Sequence, residues 1–250
     1  YMPLNKAPQL LDDSTMPKIY DLSMPWGVDT PLWPFPGARQ DLVFPRGQYL
    51  GRFHKRTMTY TGTLHAGTHM DAPNHVMHEE EVDRARNGYN LAEIPLCRCI
   101  GSGIIVDMRY LKDQFEEKWN AAEGDPSRMS EDIWHIIMPE EFEAACAKDG
   151  LEVRPNDWVV INTGFHHYWR GNNYYAGEGP ELARYLVSKG IKGVTGTWGA
   201  TDAPLWHHPL KEQMPWLDTA YTQATGGKSA AEKYPDYEPC HRIYMQSGVC

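Results

Sequence analysis

Apolar and amphipathic segments alternate along the middle of the chain, from about residue 100 to residue 200. Short apolar runs within 99–107, 157–164 and 191–198 are typical of buried strands. The segments 139–150 and 180–190 lie between them, and each begins with proline and ends with glycine. That pattern predicts helices, because proline suits the first helical turn and glycine suits the position after the last turn. Strands that alternate with helices predict an α/β fold with a partly parallel sheet.

The first 50 residues have a different pattern, rich in proline and aromatic side chains such as Trp26 and Trp33. Proline fixes φ and removes a hydrogen-bond donor, so we expect turns and edge segments there. Residues 20–24 have the composition of a short strand before these turns. Residues 56–65 alternate threonine with other side chains and predict a second strand, which ends at His65.

The chain contains no internal repeat and no linker that would divide it. We therefore predict one α/β domain over residues 1–250, with a mixed, partly parallel sheet or barrel-like core flanked by helices. The proline- and aromatic-rich segment 1–50 belongs to this domain. The polar stretch at about 112–129 is interpreted as a solvated surface insertion.

Composition restricts the classes of function. Hydrophobic residues make up 41% of the chain and charged residues 23%, as in a globular protein. The net charge of −9 argues against a broad surface for nucleic acid or an acidic membrane. No apolar run approaches the roughly 20 residues that cross a bilayer, and the first residues do not resemble a signal peptide.

The five cysteines are an odd number without a disulfide pattern. This favours reduced thiols and a cytoplasmic location. Cys97 and Cys99 are interpreted as apolar strand residues rather than as a metal site, because no second cysteine pair accompanies them.

Candidate chemistry is concentrated in residues 65–75, which read His-Ala-Gly-Thr-His-Met-Asp-Ala-Pro-Asn-His. Neutral imidazole and carboxylate are the usual ligands of zinc and manganese. A continuous helix would not place all these side chains on one face, and glycine and proline interrupt the segment. We therefore expect a loop at a strand end that directs His65, His69 and Asp71 toward one point.

This segment resembles the signature of the metal-dependent cyclase-like hydrolases, which include bacterial kynurenine formamidase and isatin hydrolase. The pattern His-x-Gly-Thr-His-x-Asp-x-Pro-x-His is matched at every position. Weaker similarities follow at Asp21-Leu-Ser23 with Trp33-Pro34, at 157–164, and at the later helix and strand. The resemblance implies a swivelling β/β/α fold and a homodimer or higher homo-oligomer.

The resemblance also implies roles for individual residues. His65, His69 and Asp71 would be metal ligands, His75 the proton-transfer residue, and Trp33 a substrate contact. His241 is similar to the later histidine ligand of two-metal members. The glutamate that accompanies it in those members would fall three positions beyond Cys250. One and two divalent ions, zinc or manganese, therefore remain alternatives.

The implied reaction is hydrolysis of a C–N amide bond in a small aromatic or cyclic substrate, either an aryl formamide or a cyclic amide such as isatin. A metal lowers the pKa of bound water to about 7, and histidine, with a pKa near 6.5, can transfer the proton. The alternatives are a lactone or ring hydrolase, a dehydrating cyclase on the same metal site, and a non-catalytic metal-binding homologue.

Overall fold

The computed structural model describes the central and C-terminal parts of the chain most completely. Side chains are described for residues 18–24, 30, 65–123, 135–164, 176–197, 201–202, 222, 226–228, 232–233 and 238–250. For the short strands between residues 41 and 61, and for residues 230–231, only the backbone is described.

Strands and helices alternate through the described part, as the sequence predicts for an α/β fold. The strands are β1 (Asp41–Val43), β2 (Gln48–Leu50), β3 (Phe53–Lys55), β4 (Thr59–Thr61), β5 (Gly103–Asp107), β6 (His135–Ile137), β7 (Trp158–Asn162), β8 (Ala176–Glu178) and β9 (Gly193–Gly196). The helices are α1 (Arg84–Asn87), α2 (Tyr110–Ala121), α3 (Pro139–Lys148), α4 (Pro180–Ser188), α5 (Ala230–Lys233) and α6 (Pro239–Ser247). Short 3-10 helices cover Pro73–His75, Glu79–Glu81, Leu91–Glu93 and Leu96–Arg98.

A parallel sheet of order β5-β7-β9 occupies the centre of the described fold, with β7 between its two partners. A second parallel pair joins β6 to β8, while β1 with β4 and β2 with β3 are antiparallel. Helices connect the parallel strands, as parallel pairing requires. The predicted α/β class with a mixed, partly parallel arrangement of strands is therefore confirmed.

Helices α3 and α4 begin at the predicted prolines and end just before the predicted glycines. Pro139 and Pro180 stand at the first helical position, while Gly150 and Gly190 have positive φ. Each helix buries one apolar face, because its leucines, alanines and phenylalanine recur at helical spacing. The resulting core combines these faces with the sheet: Val106, Met108, Leu111, Phe115, Ile137, Phe142, Val159, Ile161, Leu182 and Leu186.

The C-terminal helix α6 brings the end of the chain back to the residues around position 75. It packs against α4 and against the 3-10 helix Pro73–His75. Arg242 fixes this contact by donating a hydrogen bond of 3.0 Å to the Val76 carbonyl and by pairing with Glu81. Residues far apart in the sequence thus meet at one place.

The structure differs from the expectation for residues 112–129 in the part that it describes. Residues 112–121 belong to α2, and Leu111 and Phe115 of this helix are buried in the core. The charged residues of the helix hide this pattern, because only one narrow side of the helix is apolar. Residues 124–129 lie outside the described residues. That residues 1–250 form a single domain stays a prediction.

Two smaller expectations are wrong. Residues 20–24 form no strand, and Tyr20 and Leu22 are exposed. Cys97 and Cys99 lie in and after a 3-10 helix that Pro95 precedes, and both thiols are exposed and free. Within the described residues, no helix is both long and apolar enough to span a bilayer.

Candidate metal centre

Three of the predicted ligands converge within the loop that leads into the first 3-10 helix. His69 Nε2 lies 2.9 Å from His65 Nδ1, and Asp71 Oδ1 lies 3.4 Å from each of these nitrogens. We call His65, His69 and Asp71 the first ligand group. Their side chains are half-buried, so the group opens toward solvent on one side.

Gly67 gives the loop its shape. Its φ of +59° is left-handed, and a Cβ at this position would lie 2.6 Å from Thr30 Cγ2. The turn also directs the Gly67 carbonyl to His69 Nδ1, at 2.8 Å. In the neutral ring this bond places the proton on Nδ1, which leaves Nε2 with a lone pair facing His65 and Asp71.

A second set of side chains meets the same carboxylate from its other oxygen. His241 Nε2 lies 3.6 Å from Asp71 Oδ2. Asp71, His75 and His241 each offer one ligand atom, and these atoms lie within 4.8 Å of one another. We call these three residues the second ligand group. Asp71 therefore belongs to both groups.

Asp202 holds His241 in place from behind. Its Oδ2 accepts a hydrogen bond of 2.5 Å from His241 Nδ1, and its Oδ1 accepts one of 2.7 Å from the backbone N–H of Cys240. Asp202 is fully buried. A carboxylate on the far nitrogen of a histidine fixes the ring and its tautomer, as is common behind metal ligands.

The charges in this cluster shift the ionisation of its members. Burial alone would raise the pKa of Asp71, but hydrogen bonds with His241, His65 and His69 outweigh burial and hold it far below its ordinary value. Burial opposes the charged form of His241, but its contacts with Asp202 and Asp71 raise its pKa well above the usual value. Asp71 is therefore an anion at neutral pH.

His75 has the opposite tendency. Burial lowers its pKa, which the negative charge of Asp71 offsets only in part. Its ring stacks on that of His65 with centroids 4.6 Å apart, and its Nε2 lies 3.9 Å from Glu238 Oε2. A neutral imidazole at the edge of the cluster is suited to accept a proton.

The donor set fits a divalent cation. Ligand atoms about 2.1 Å from one ion, at tetrahedral or octahedral angles, lie about 3.0–3.4 Å apart. The separations in the first ligand group, 2.9, 3.4 and 3.4 Å, are close to these values. Two lone-pair nitrogens and a carboxylate oxygen this close together repel unless a proton or a cation lies between them, and imidazole with carboxylate suits zinc or manganese.

The structure brings together five of the predicted site residues: His65, His69, Asp71, His75 and His241. Trp33 lies outside the described residues. Thr68 Oγ1, between the ligands of the loop, accepts a hydrogen bond of 3.0 Å from the backbone N–H of Met24.

Sequence reasoning missed the carboxylates Glu178, Asp202 and Glu238, which are all buried. Glu178 ends β8, and a parallel bridge joins it to Asp202. The available signal for Glu178 was its position, because the carboxyl ends of parallel strands are the usual place for a functional site in an α/β fold.

Comparison with solved structures shows the same fold in isatin hydrolases. Isatin hydrolase A from Labrenzia aggregata, bound to benzyl benzoate, has 20% sequence identity and a TM-score of 0.61; the match covers 93% of this chain and 78% of that one. Isatin hydrolase A from Ralstonia solanacearum has 15% identity and a TM-score of 0.61, over 94% and 84% of the two chains. An isatin hydrolase bound to the product analogue thioisatinate has 18% identity and a TM-score of 0.59, over 92% and 76%.

No curated protein matches the chain. A protein-family model does, and it is described as "Putative cyclase" and matches residues 20–203. The matched range contains the first ligand group, His75 and Asp202, and it covers most of the chain. The protein therefore belongs to the cyclase family, as the histidine-rich signature predicts.

Proposed function

We propose that this protein is a metal-dependent hydrolase that cleaves a C–N amide bond in a small aromatic or cyclic substrate, an aryl formamide or a cyclic amide such as isatin. The observation that carries the proposal is the sharing of Asp71 between two groups of convergent side chains, the second of which contains His75. The isatin hydrolases that share the fold support the choice of bond.

The residues that would hold zinc or manganese are His65, His69 and Asp71, with His241 as a further ligand toward a second ion. When bound, the cation lowers the pKa of a water molecule to about 7 and polarises a carbonyl oxygen. Asp71 supplies negative charge to both groups, and Asp202 keeps His241 Nε2 directed at Asp71.

His75 carries the proton in this proposal. Its lowered pKa keeps the ring neutral near pH 7, so it accepts a proton from the attacking water. The same ring then donates that proton to the departing nitrogen, which leaves as an amine or, after ring opening, as part of the product. The partial exposure of the His75 side chain supports access of a substrate from the solvent.

Further properties of the proposal come from the resemblance and the relatives. The solved relatives bind benzyl benzoate and thioisatinate, which are small aromatic molecules. We propose a substrate of that type, with Trp33 at its edge. A homodimer or higher homo-oligomer and a cytoplasmic location complete the proposal.

Removal of the metal tests the proposal directly. Protein stripped with a chelator should lose hydrolysis of N-formylkynurenine or isatin, and Mn²⁺ or Zn²⁺ should restore it. Metal analysis of the restored protein should show one or two ions per chain. Turnover that survives complete metal removal would contradict the proposal, while turnover of lactones alone would favour the ring-hydrolase alternative.

Replacing His75 with alanine should lower kcat by roughly 100-fold or more, because general acid–base catalysis is lost. Metal content should stay unchanged if His75 transfers protons rather than binding the metal. Steady-state kinetics and metal analysis of the variant check both points. His135→Ala is the control, because His135 pairs with Glu141 in another part of the fold. A normal kcat in H75A would exclude His75 as the base.

Replacing Asp202 with asparagine should weaken metal affinity by roughly 10- to 100-fold, because the acceptor for His241 Nδ1 is lost. Competition with a fluorescent chelator measures this affinity. Asp157→Asn is a matched control: Asp157 is also buried, but its oxygens accept from the Ser102 hydroxyl and from the Arg154 backbone. Equal metal affinity in D202N and the wild type would show that Asp202 does not orient a ligand.

A further inference from the structure

Glu238 has a backbone conformation that glutamate rarely adopts. Its φ of 51° and ψ of 63° are left-handed, and it stands immediately before α6. Glycine or asparagine tolerates this region much better than a residue with a long side chain. Residues kept in such a conformation concentrate at functional sites, so the side chain of Glu238 requires an explanation.

The side chain of Glu238 is buried and points into the histidine cluster. Its Oε2 lies 3.9 Å from His75 Nε2, and only 7% of the Glu238 side chain is exposed. The ring of His75 also stacks on that of His65. It therefore contacts His65 through its face, while its Nε2 lies near a buried carboxylate.

A capping role does not explain Glu238. A residue at this position often accepts a hydrogen bond from the first turn of the helix. The side chain of Glu238 makes no such capping bond to α6. Among the described residues, neither group of convergent ligand atoms includes Glu238, which disfavours ligation.

We propose that Glu238 is a positioning residue for His75. Its negative charge attracts the Nε2 edge of the ring and selects the orientation in which the ring serves the reacting atoms. The left-handed backbone before α6 directs the carboxylate inward. This role rests on the proposed function for its kinetic consequence, but the orientation of the ring is a structural property that can be measured separately.

Glu238→Gln is the principal test, because it preserves size and removes the charge. We expect kcat to fall roughly 10- to 100-fold, as is typical when a reacting group is misplaced, with KM changed less than about twofold. Metal content and melting temperature should match the wild type. Glu238→Asp keeps the charge and should recover part of kcat. Unchanged kcat in E238Q would overturn the inference, and so would loss of bound metal, which would mark Glu238 as a ligand.

Glu81→Gln is the matched control. Glu81 pairs with Arg242 of the same helix, so this variant weakens the docking of α6 without removing a group beside His75. E81Q should keep its kcat. An equal loss of kcat in both variants would assign the effect to helix docking and overturn the inference.

Crystal structures of the wild type and E238Q separate this inference from the proposed function. A wild type without metal-dependent hydrolysis would contradict the proposed function alone. In that case a rotated His75 ring in E238Q would still support the inference. An unrotated ring would overturn the inference whatever the activity of the enzyme.

Discussion

Replacing Asp71 with asparagine is expected to lower kcat/KM for the amide substrate by about 10³-fold or more. Both carboxylate oxygens are in use: Oδ1 faces His65 and His69, while Oδ2 faces His241. Asparagine keeps one oxygen acceptor and replaces the other with an N–H donor, which cannot ligate a cation. Loss of several kcal/mol of metal-dependent transition-state stabilisation corresponds to this factor.

D71N should lose bound metal together with activity, because one residue serves both ligand groups. Metal analysis and steady-state kinetics measure these two losses. Asp107→Asn is the control: Asp107 ends β5 and pairs with Arg109, away from the histidines. Retention of full metal content and activity by D71N would show that the convergence of these side chains is not a metal centre.

Replacing Glu178 with glutamine is expected to remove a large pH dependence of stability from the metal-free protein. Glu178 is fully buried, and burial raises its pKa to about 8 from the ordinary 4.5. The Tyr244 hydroxyl donates a hydrogen bond to Oε2, which opposes this rise only in part. Among the described residues, Oε1 has no hydrogen-bond partner. The folded protein therefore keeps this carboxyl protonated at pH 7, while the unfolded chain ionises it.

The direction of this pH dependence follows from the number of protons that the folded and unfolded states bind. Below the unfolded pKa both states hold the proton, so the group does not alter stability there. Between about pH 4.5 and pH 8 only the folded state holds it, so stability falls as the pH rises. At about 1.4 kcal/mol for each pH unit, the loss approaches roughly 5 kcal/mol at pH 8 as an upper bound. Above the folded pKa the loss levels off.

Urea unfolding at pH 5 and pH 8, in the presence of chelator, measures this prediction. Chelator is required because a nearby cation would favour the ionised carboxylate. E178Q should lose much less stability than the wild type between the two values, because only the contribution of Glu178 is removed while the histidines titrate in both proteins. Glu143→Gln is the control. Glu143 Oε1 accepts a similar hydrogen bond of 2.7 Å from the Tyr185 hydroxyl, but at the surface, so this variant should behave like the wild type. Parallel curves for E178Q and wild type would show that Glu178 is ionised when folded.

Local sequence patterns were sufficient to predict an element or a site when all the residues that define it lie in one short segment. The prolines and glycines of α3 and α4 determine the helix ends, since each acts through its own backbone. The first ligand group was also predictable, because its members lie within seven residues of a loop that Gly67 bends. Helix α2 escaped prediction because its charged side chains dominate the average polarity and only a narrow side is buried.

The order of residues along the chain was sufficient to predict the family, the alternation of strands and helices, and the candidate ligands within residues 65–75. The buried carboxylates around the histidines become apparent only in the folded protein. Asp202 contacts His241 and Glu178 contacts Tyr244, both in α6, while Glu238 approaches His75; all three carboxylates are far from residues 65–75 along the chain. Burial and neighbouring charge set the ionisation of a carboxylate, and both arise only when the chain packs. The shared position of Asp71 likewise exists only after α6 has brought His241 to the loop.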